Sequence, residues 1–234
     1  MSVAVKRLIV TACAGFLGIA GLIGLAPAAS ASEACADVAV VFARGTNEPA
    51  GVGHVGQGFI DSLKGDLSGQ SVAVYPVNYP ADYDFLQAAQ GANDASAQIQ
   101  TIAAQCPDTH IVLGGFSQGA AVADFVIGAP GPLFGYTNLL PQAAADHVSA
   151  VALFGNPSNK IGKPIAVLSP AFAPRTIDLC NGADPVCSPG DDRPAHSQYV
   201  ESGLTAQAAS FVAGQLNGAP RPTDATLASS VAVG

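Results

Sequence analysis

The sequence predicts an α/β fold, a parallel sheet sandwiched between layers of helices. Three observations predict it. Short apolar segments rich in β-branched residues alternate with helical patterns along the chain. The strand segments are apolar on both faces, as buried parallel strands are. Hydrophobic residues make up 49% of the 234 residues and charged residues only 11%, which supplies a sizeable core and excludes a disordered chain. The length suits one domain with a short extension.

The elements follow in order. Residues 38–42 form a continuous apolar run and read as a buried first strand. A Gly/Pro-rich loop covers 45–53, and residues 54–67 carry a helical pattern through Val55, Phe59, Ile60, Leu63 and Leu67. Residues 72–77 read as a second strand. The spacing predicts a helix over 93–105, with Ile99 and Ile102 inward and Cys106-Pro107 ending it. Residues 110–114 read as a third strand, 120–126 as a helix, and 128–141 as a loop. Strands four and five fall at 148–154 and 175–179, and a last helix runs from about Tyr199 to Leu216. Residues 218–234 are rich in Ala, Ser and Pro, lack periodicity and read as a flexible tail.

Residues 1–31 read as a secretory signal peptide. Lys6 and Arg7 form the positive region, residues 8–25 are uncharged and apolar, and Ala29-Ser30-Ala31 offers a cleavage site. An uncleaved membrane anchor is the alternative, but four glycines in the apolar run favour cleavage. Lipoprotein processing at Cys13 would leave too short an apolar run. The expected protein is therefore exported, extracellular or held at the cell envelope.

Cleavage leaves Cys35, Cys106, Cys180 and Cys187. An even count in an exported chain implies two disulfides. The Cys180/Cys187 spacing suits a local loop, which leaves Cys35 with Cys106. In the chain-entropy view the long loop contributes roughly 4 kcal/mol and the short one about 2.5 kcal/mol. No C-x-x-C pair points to zinc, so no metal is expected.

Charge and composition remove several function classes. Nine Lys+Arg against 17 Asp+Glu give a net charge of -8, which is wrong for neutralising phosphates. The absence of Trp argues against a base-stacking platform. The 26 Gly and 17 Pro show no collagen period.

The chemistry sits at Gly115-Phe116-Ser117-Gln118-Gly119, a G-x-S-x-G match between the third strand and the following helix. That placement suits a nucleophile elbow, with Ser117 pushed out above the sheet at a helix N-terminus. A serine needs a histidine base and an orienting carboxylate, in the chain order Ser, acid, His. His54 and His110 precede Ser117, and His147 falls before the fourth strand, at the wrong end of the sheet. His196 lies in a loop after the fifth strand, where catalytic loops gather. Asp178, Asp184, Asp191 and Asp192 are candidate acids. Asp178 lies inside a strand, and Asp191 and Asp192 are adjacent and solvated. Asp184 is favoured, because a disulfide closing its loop would hold the carboxylate rigid. The Gln118 N–H is expected in the oxyanion hole, with a second donor from the loop Arg44-Gly45-Thr46. Residues 51–56 also match G-x-G-x-x-G, but no strand directly precedes them and no acidic residue ends the second strand, so nucleotide binding is excluded.

Together these residues resemble the cutinase family, most closely its actinobacterial members, over about residues 35–217. The resemblance rests on Val-Phe-Ala-Arg-Gly-Thr at 41–46, Gly-Gly-Phe-Ser-Gln-Gly at 114–119, the Cys-x3-Asp-x2-Cys loop at 180–187, and Ala195-His196 followed by Tyr199. It implies a small α/β-hydrolase domain over 32–217 with a five-stranded parallel sheet and no large lid. It implies Ser117 as nucleophile, Asp184 as acid, His196 as base, Thr46 and Gln118 as oxyanion hole, and Cys35–Cys106 and Cys180–Cys187 as disulfides.

The implied activity is hydrolysis of short-to-medium-chain acyl esters through an acyl-enzyme, without cofactor or metal. The expected partner is a small-molecule or lipid ester, with transient contact to lipid surfaces, no nucleic acid, and a monomeric chain. The loop 188–194 is polar here, where plant-cutin enzymes are apolar, so an apolar rim is sought instead at Leu133, Phe134, Tyr136, Leu139 and Leu140, or at Val167, Leu168 and Phe172. Two rival readings are a carbohydrate deacetylase of the acetylxylan-esterase kind and a non-catalytic surface or antigenic protein keeping the fold.

Overall fold

The computed structural model describes residues 35–218. The signal peptide expected at 1–31 and the tail beyond Gly218 lie outside the described residues.

Among the described residues one five-stranded sheet forms from β1 (Val38–Ala43), β2 (Val72–Pro76), β3 (His110–Phe116), β4 (Val148–Phe154) and β5 (Thr176–Leu179), in the order β2-β1-β3-β4-β5. All neighbours pair in parallel. The connecting helices are α1 (Gly53–Asp66), α2 (Ala88–Gln105) and α3 (Gln118–Gly128). Short turns α4 (Gln142–Ala145), α5 (Pro157–Lys160) and α6 (Ile165–Leu168) follow, and α7 (Leu204–Gly218) closes the described chain.

The alternation of the central strands splits the core into two layers. Val41 and Ala43 of β1, Ile111 and Leu113 of β3, and Val151 and Leu153 of β4 face α2 and α3. Val38, Val40, Phe42, Val112, Ala150, Ala152 and Phe154 face the other way, against Phe59 and Leu63 of α1 and Val212 and Leu216 of α7. Each large buried side chain contributes on the order of 1.5–3 kcal/mol, so both helix layers are held by the sheet. The edge strand β2 differs: Ala73, Val74 and Pro76 are exposed, and a proline is tolerated there because an edge leaves N–H groups unpaired.

Some boundaries differ from the periodicity reading. Helix α2 begins at Ala88, because Ala88, Ala89 and Ala92 pack inward although they carry little hydrophobic signal. Helix α7 begins at Leu204, because Gly203 takes a positive φ of 76° and interrupts any helix running on from Tyr199. Strand β3 continues to Phe116, which brings it directly to Ser117. The turns α4, α5 and α6 are each too short to leave a periodic signal.

The strand order reverses between β1 and β3. The chain steps from β1 outward to β2, then returns across β1 to β3. Loops leaving the C-terminal ends of β1 and β3 therefore diverge and open a crevice.

Candidate active site

Chain geometry creates a sharp turn at that crevice. Ser117 takes φ 56° between β3 and α3, a left-handed conformation costly for a side-chain-bearing residue. The flanking glycines make it possible. A Cβ on Gly115 would sit 2.1 Å from the Gly119 carbonyl oxygen, and one on Gly119 would sit 2.0 Å from that of Ala43. The turn is anchored by the Ser117 N–H, which donates to the Phe154 carbonyl at 2.8 Å. Gln118 opens α3, so its N–H is among those without an intrahelical partner.

His196 reaches the same point from a one-turn helix, Pro194–Ser197. Its Nε2 lies 2.9 Å from Ser117 Oγ, and its Nδ1 lies 2.8 Å from Asp184 Oδ2. The imidazole packs on the Phe116 ring with centroids 4.8 Å apart. Behind it stands Gly155 (φ 58°), where a Cβ would come 3.0 Å from His196 Cε1.

Asp184 is completely buried, with 0% exposure. The Cys180–Cys187 disulfide closes its loop. The Val186 N–H donates to Oδ1 at 2.8 Å, while the Tyr199 hydroxyl donates to Oδ2 at 2.7 Å. The Lys160 ammonium pins the loop from outside through the Pro185 carbonyl at 2.6 Å. The second disulfide, Cys35–Cys106, ties the start of the domain to the end of α2, away from this site.

The loop after β1 brings Thr46 against Gln118. Thr46 Oγ1 donates to Gln118 Oε1 at 3.1 Å, and Gln118 Nε2 is buried without a partner. Turning the amide over exchanges the two ends. In that orientation Nε2 would donate to Thr46 Oγ1, Oε1 would take the buried position, and the Thr46 hydroxyl would no longer donate to Gln118. Arg44, only 7% exposed, fixes this loop: its guanidinium donates to the carbonyls of Glu48 (2.9 Å) and Tyr79 (2.8 Å). Glu48 completes the brace, accepting the Gly45 N–H at 2.6 Å and the His54 N–H at 2.7 Å.

A cleft of about 760 Å³ opens over Ser117 and His196, walled by Tyr83, Phe85, Phe116, Ala121, Phe125, Pro157 and Val186. Its rim corrects the sequence expectation. Tyr136 and Phe172 are buried in the core, Leu139, Leu140 and Leu168 pack against it, and exposed Leu133, Phe134 and Val167 do not line the cleft. The exposed aromatics that line it are Tyr83 and Phe85, stacked edge to face with centroids 6.3 Å apart. Sequence reasoning missed them because they sit in a short aperiodic segment. Their signal is two aromatics, at 83 and 85, among the aspartates of a loop.

The other candidates lie elsewhere. His54 faces Glu201 at 3.6 Å, and His110 Nδ1 lies 2.8 Å from Ser149 Oγ. Burial pushes the His147 imidazole below its usual range. Asp178 accepts from Asn156 and Asn159 rather than from a histidine. Asp191 and Asp192 are exposed. Cys180, Asp184 and Cys187 lie close enough to share an ion, but their sulfurs are bonded to each other and offer no thiolate.

A serine on a strand-to-helix elbow, a histidine within reach and an apolar cleft define an α/β-hydrolase-type site. The cutinase family model matches residues 34–216, and the chain belongs to the cutinase family, a family of carboxylic ester hydrolases. It is 51% identical over 213 residues to "Phospholipase Culp4" of Mycobacterium tuberculosis, covering 91% of this chain and 93% of that one. It is 46% identical over 196 residues to "Carboxylesterase Culp1" of Mycobacterium bovis, covering 81% and 86%. Among solved structures, a Trichoderma reesei cutinase in complex with a phosphonate inhibitor aligns with TM-score 0.63 and 35% identity over 78% of this chain and 77% of that one. An acetylxylan esterase aligns with TM-score 0.68 and 25% identity over 78% of this chain and all of that one (100%).

Proposed function

We propose that this chain is an exported serine esterase in which Ser117, His196 and Asp184 form the catalytic triad. The observation that carries the reading is the unbroken chain Ser117 Oγ–His196–Asp184 at 2.9 and 2.8 Å beneath an apolar cleft. Ser117 Oγ attacks the ester carbonyl carbon while His196 Nε2 takes its proton. Asp184 holds the imidazole so that Nδ1 keeps its hydrogen, and it balances the imidazolium charge. The tetrahedral oxyanion accepts from the N–H groups of Gln118 and Thr46 and from the Thr46 hydroxyl, which gives up its contact with Gln118 Oε1 to do so. As the intermediate collapses, the alkoxide leaves with the proton from His196. Water then attacks the acyl-enzyme, giving His196 a proton that returns to Ser117 as the acid departs.

The substrate class is short-to-medium-chain acyl esters, phospholipids included. The cleft walls favour an acyl chain over a sugar, which weighs against the deacetylase reading, and exposed Tyr83, Phe85 and Leu86 suit brief contact with a lipid surface. The signal peptide at 1–31 delivers a mature monomer whose catalytic domain spans 32–217. No cofactor or metal takes part in these steps, and nucleic acid is not a partner.

The test is kcat/KM on p-nitrophenyl esters from acetate to palmitate, with Ser117→Ala alongside. The variant is expected to lose on the order of 10⁴-fold in kcat, and the parent's activity is expected to peak at short-to-medium chains. Turnover retained by Ser117→Ala rejects the triad. Activity on acetylated xylan that exceeds all fatty esters moves the substrate to carbohydrates.

A further inference from the structure

Tyr199 is the group at this site whose chemistry the three-residue triad leaves unused. Its hydroxyl is 2.7 Å from Asp184 Oδ2, the same oxygen that lies 2.8 Å from His196 Nδ1. It also accepts the Asn181 N–H at 3.1 Å. A backbone amide only donates, so that contact takes a lone pair and leaves the phenol proton for the carboxylate. The ring has no freedom to turn away. Tyr199 is fully buried, edge-on to Phe116 at 5.7 Å and to Phe154 at 5.9 Å, and Phe116 in turn carries the imidazole. Burial and then the Asp184 hydrogen bond push the Tyr199 phenol far above its ordinary range, so it stays a donor throughout the working pH.

We propose that Tyr199 is a positioning residue of the Ser117 site: its hydroxyl locks the Asp184 carboxylate and draws charge from the oxygen facing His196. The inference rests on the triad proposed above. A carboxylate oxygen that shares its charge with a second donor stabilises the imidazolium less. Without the phenol, that oxygen would face His196 Nδ1 with its charge undivided. The phenol thereby holds the carboxylate in line and moderates its pull on the imidazolium.

Other charged groups surround the pair, and the variants below leave them in place. Asp178 of β5 acts on Tyr199 through its charge, Lys160 of α5 sits on Pro185, and Asp191, Asp192 and Arg193 lie exposed on the loop before His196. Glu201 and His54 face each other on the outer surface.

The test compares kcat, KM and the pH dependence of kcat/KM for the parent, Tyr199→Phe, and a protein with a ring-fluorinated tyrosine at 199. Ser117→Ala is run beside them. Tyr199→Phe keeps the ring and deletes the donor, whereas fluorination strengthens the donor and adds only one small atom to the ring. The acid limb is expected to move up by about half a unit or more in Tyr199→Phe and down in the fluorinated protein. In Tyr199→Phe kcat is expected to fall about tenfold, with KM within about twofold of the parent. A limb that stays put in both proteins overturns the proposal, whatever the loss of rate, since a purely structural tyrosine would lower activity without moving it. Should Tyr199→Phe fail to fold, the fluorinated protein decides alone by the direction of its shift. An inactive Ser117→Ala with an unmoved limb rejects Tyr199 only. An active Ser117→Ala rejects the triad and this inference with it.

Discussion

Two groups of carboxylates lie near the Ser117 site, Asp184 on one side and Asp124 with the half-buried Asp178 on the other, and they differ in how their oxygens are satisfied. Asp184 has its own donors: the Val186 N–H on one oxygen, and His196 and Tyr199 on the other. Asp124 of α3 and Asp178 of β5 share theirs. One amide nitrogen, Asn156 Nδ2, reaches both, at 3.3 and 3.1 Å, and Ser158 and Asn159 supply one further donor each. Burial, and then the charge of Asp178, lift Asp124 to about 7; burial lifts Asp178 to about 6. Depth alone does not decide what a buried carboxylate does. The supply of donors decides it, and the richer supply lies where a histidine is aimed.

The sharpest way to break that contrast is to remove charge from each group in turn. Asp184→Asn keeps the shape but presents an amide to His196 Nδ1, which favours the wrong tautomer. A loss on the order of 10³–10⁴-fold in kcat is expected, read on a soluble butyrate ester with little change in KM. Asp124→Asn is expected to leave kcat within about twofold, because its carboxyl meets Asn156 and Ser158 rather than the imidazole. Equal losses in the two variants would mean that the groups act as one network.

The second effect is on stability. An unfolded aspartate titrates near 3.9, well below the folded values of about 7 and 6. Below about pH 4 both states hold these protons, and the stability they confer is fully present. As the pH climbs from about 4 to 7, the unfolded chain releases its protons first. The folded state then binds more protons, stability falls, and the loss is complete above about 7. Asp124→Asn removes one of the titrating groups. At pH 8 it is expected to unfold at a higher temperature than the parent, by on the order of 1–3 kcal/mol, with the advantage gone by about pH 4. Thermal melts across that range check it, and an unchanged pH slope would refute the shared-donor account.

These two groups were not equally legible in the sequence. Asp184 stood out because cysteines bracket it and a histidine follows at a compatible distance in the chain. Asp124 lies in the apolar segment Val122-Ala123-Asp124-Phe125, where periodicity reports a buried face but not which polar side chain from another element will meet it. Asp178 read simply as a strand residue, since its partners Asn156 and Asn159 come from the loop after β4 and from α5, which carries no periodic pattern. The elbow was legible because the close approach of three backbone segments demands glycine at fixed positions. The Tyr83–Phe85 rim was not, because an aromatic pair in a loop has no repeat to betray it. Local rules thus recover whatever one segment dictates for itself. A shared donor or a cleft wall is dictated by several segments at once.

The smallest expected effect tests donor supply directly. Ser158 Oγ donates to Asp124 Oδ2, and Ser158→Ala deletes that hydrogen bond without touching Asn156. An ionised Asp124 needs the donor, whereas a protonated one needs it less. The variant is therefore expected to lose about 1–2 kcal/mol at pH 8, where Asp124 is charged, and roughly half that or less at pH 5. Denaturant unfolding at the two pH values measures the difference. A loss of equal size at both would assign the hydroxyl to packing and leave burial alone as the cause of the raised carboxyls. A loss that grows with pH would show that the charge on Asp124 depends on each donor its surroundings supply.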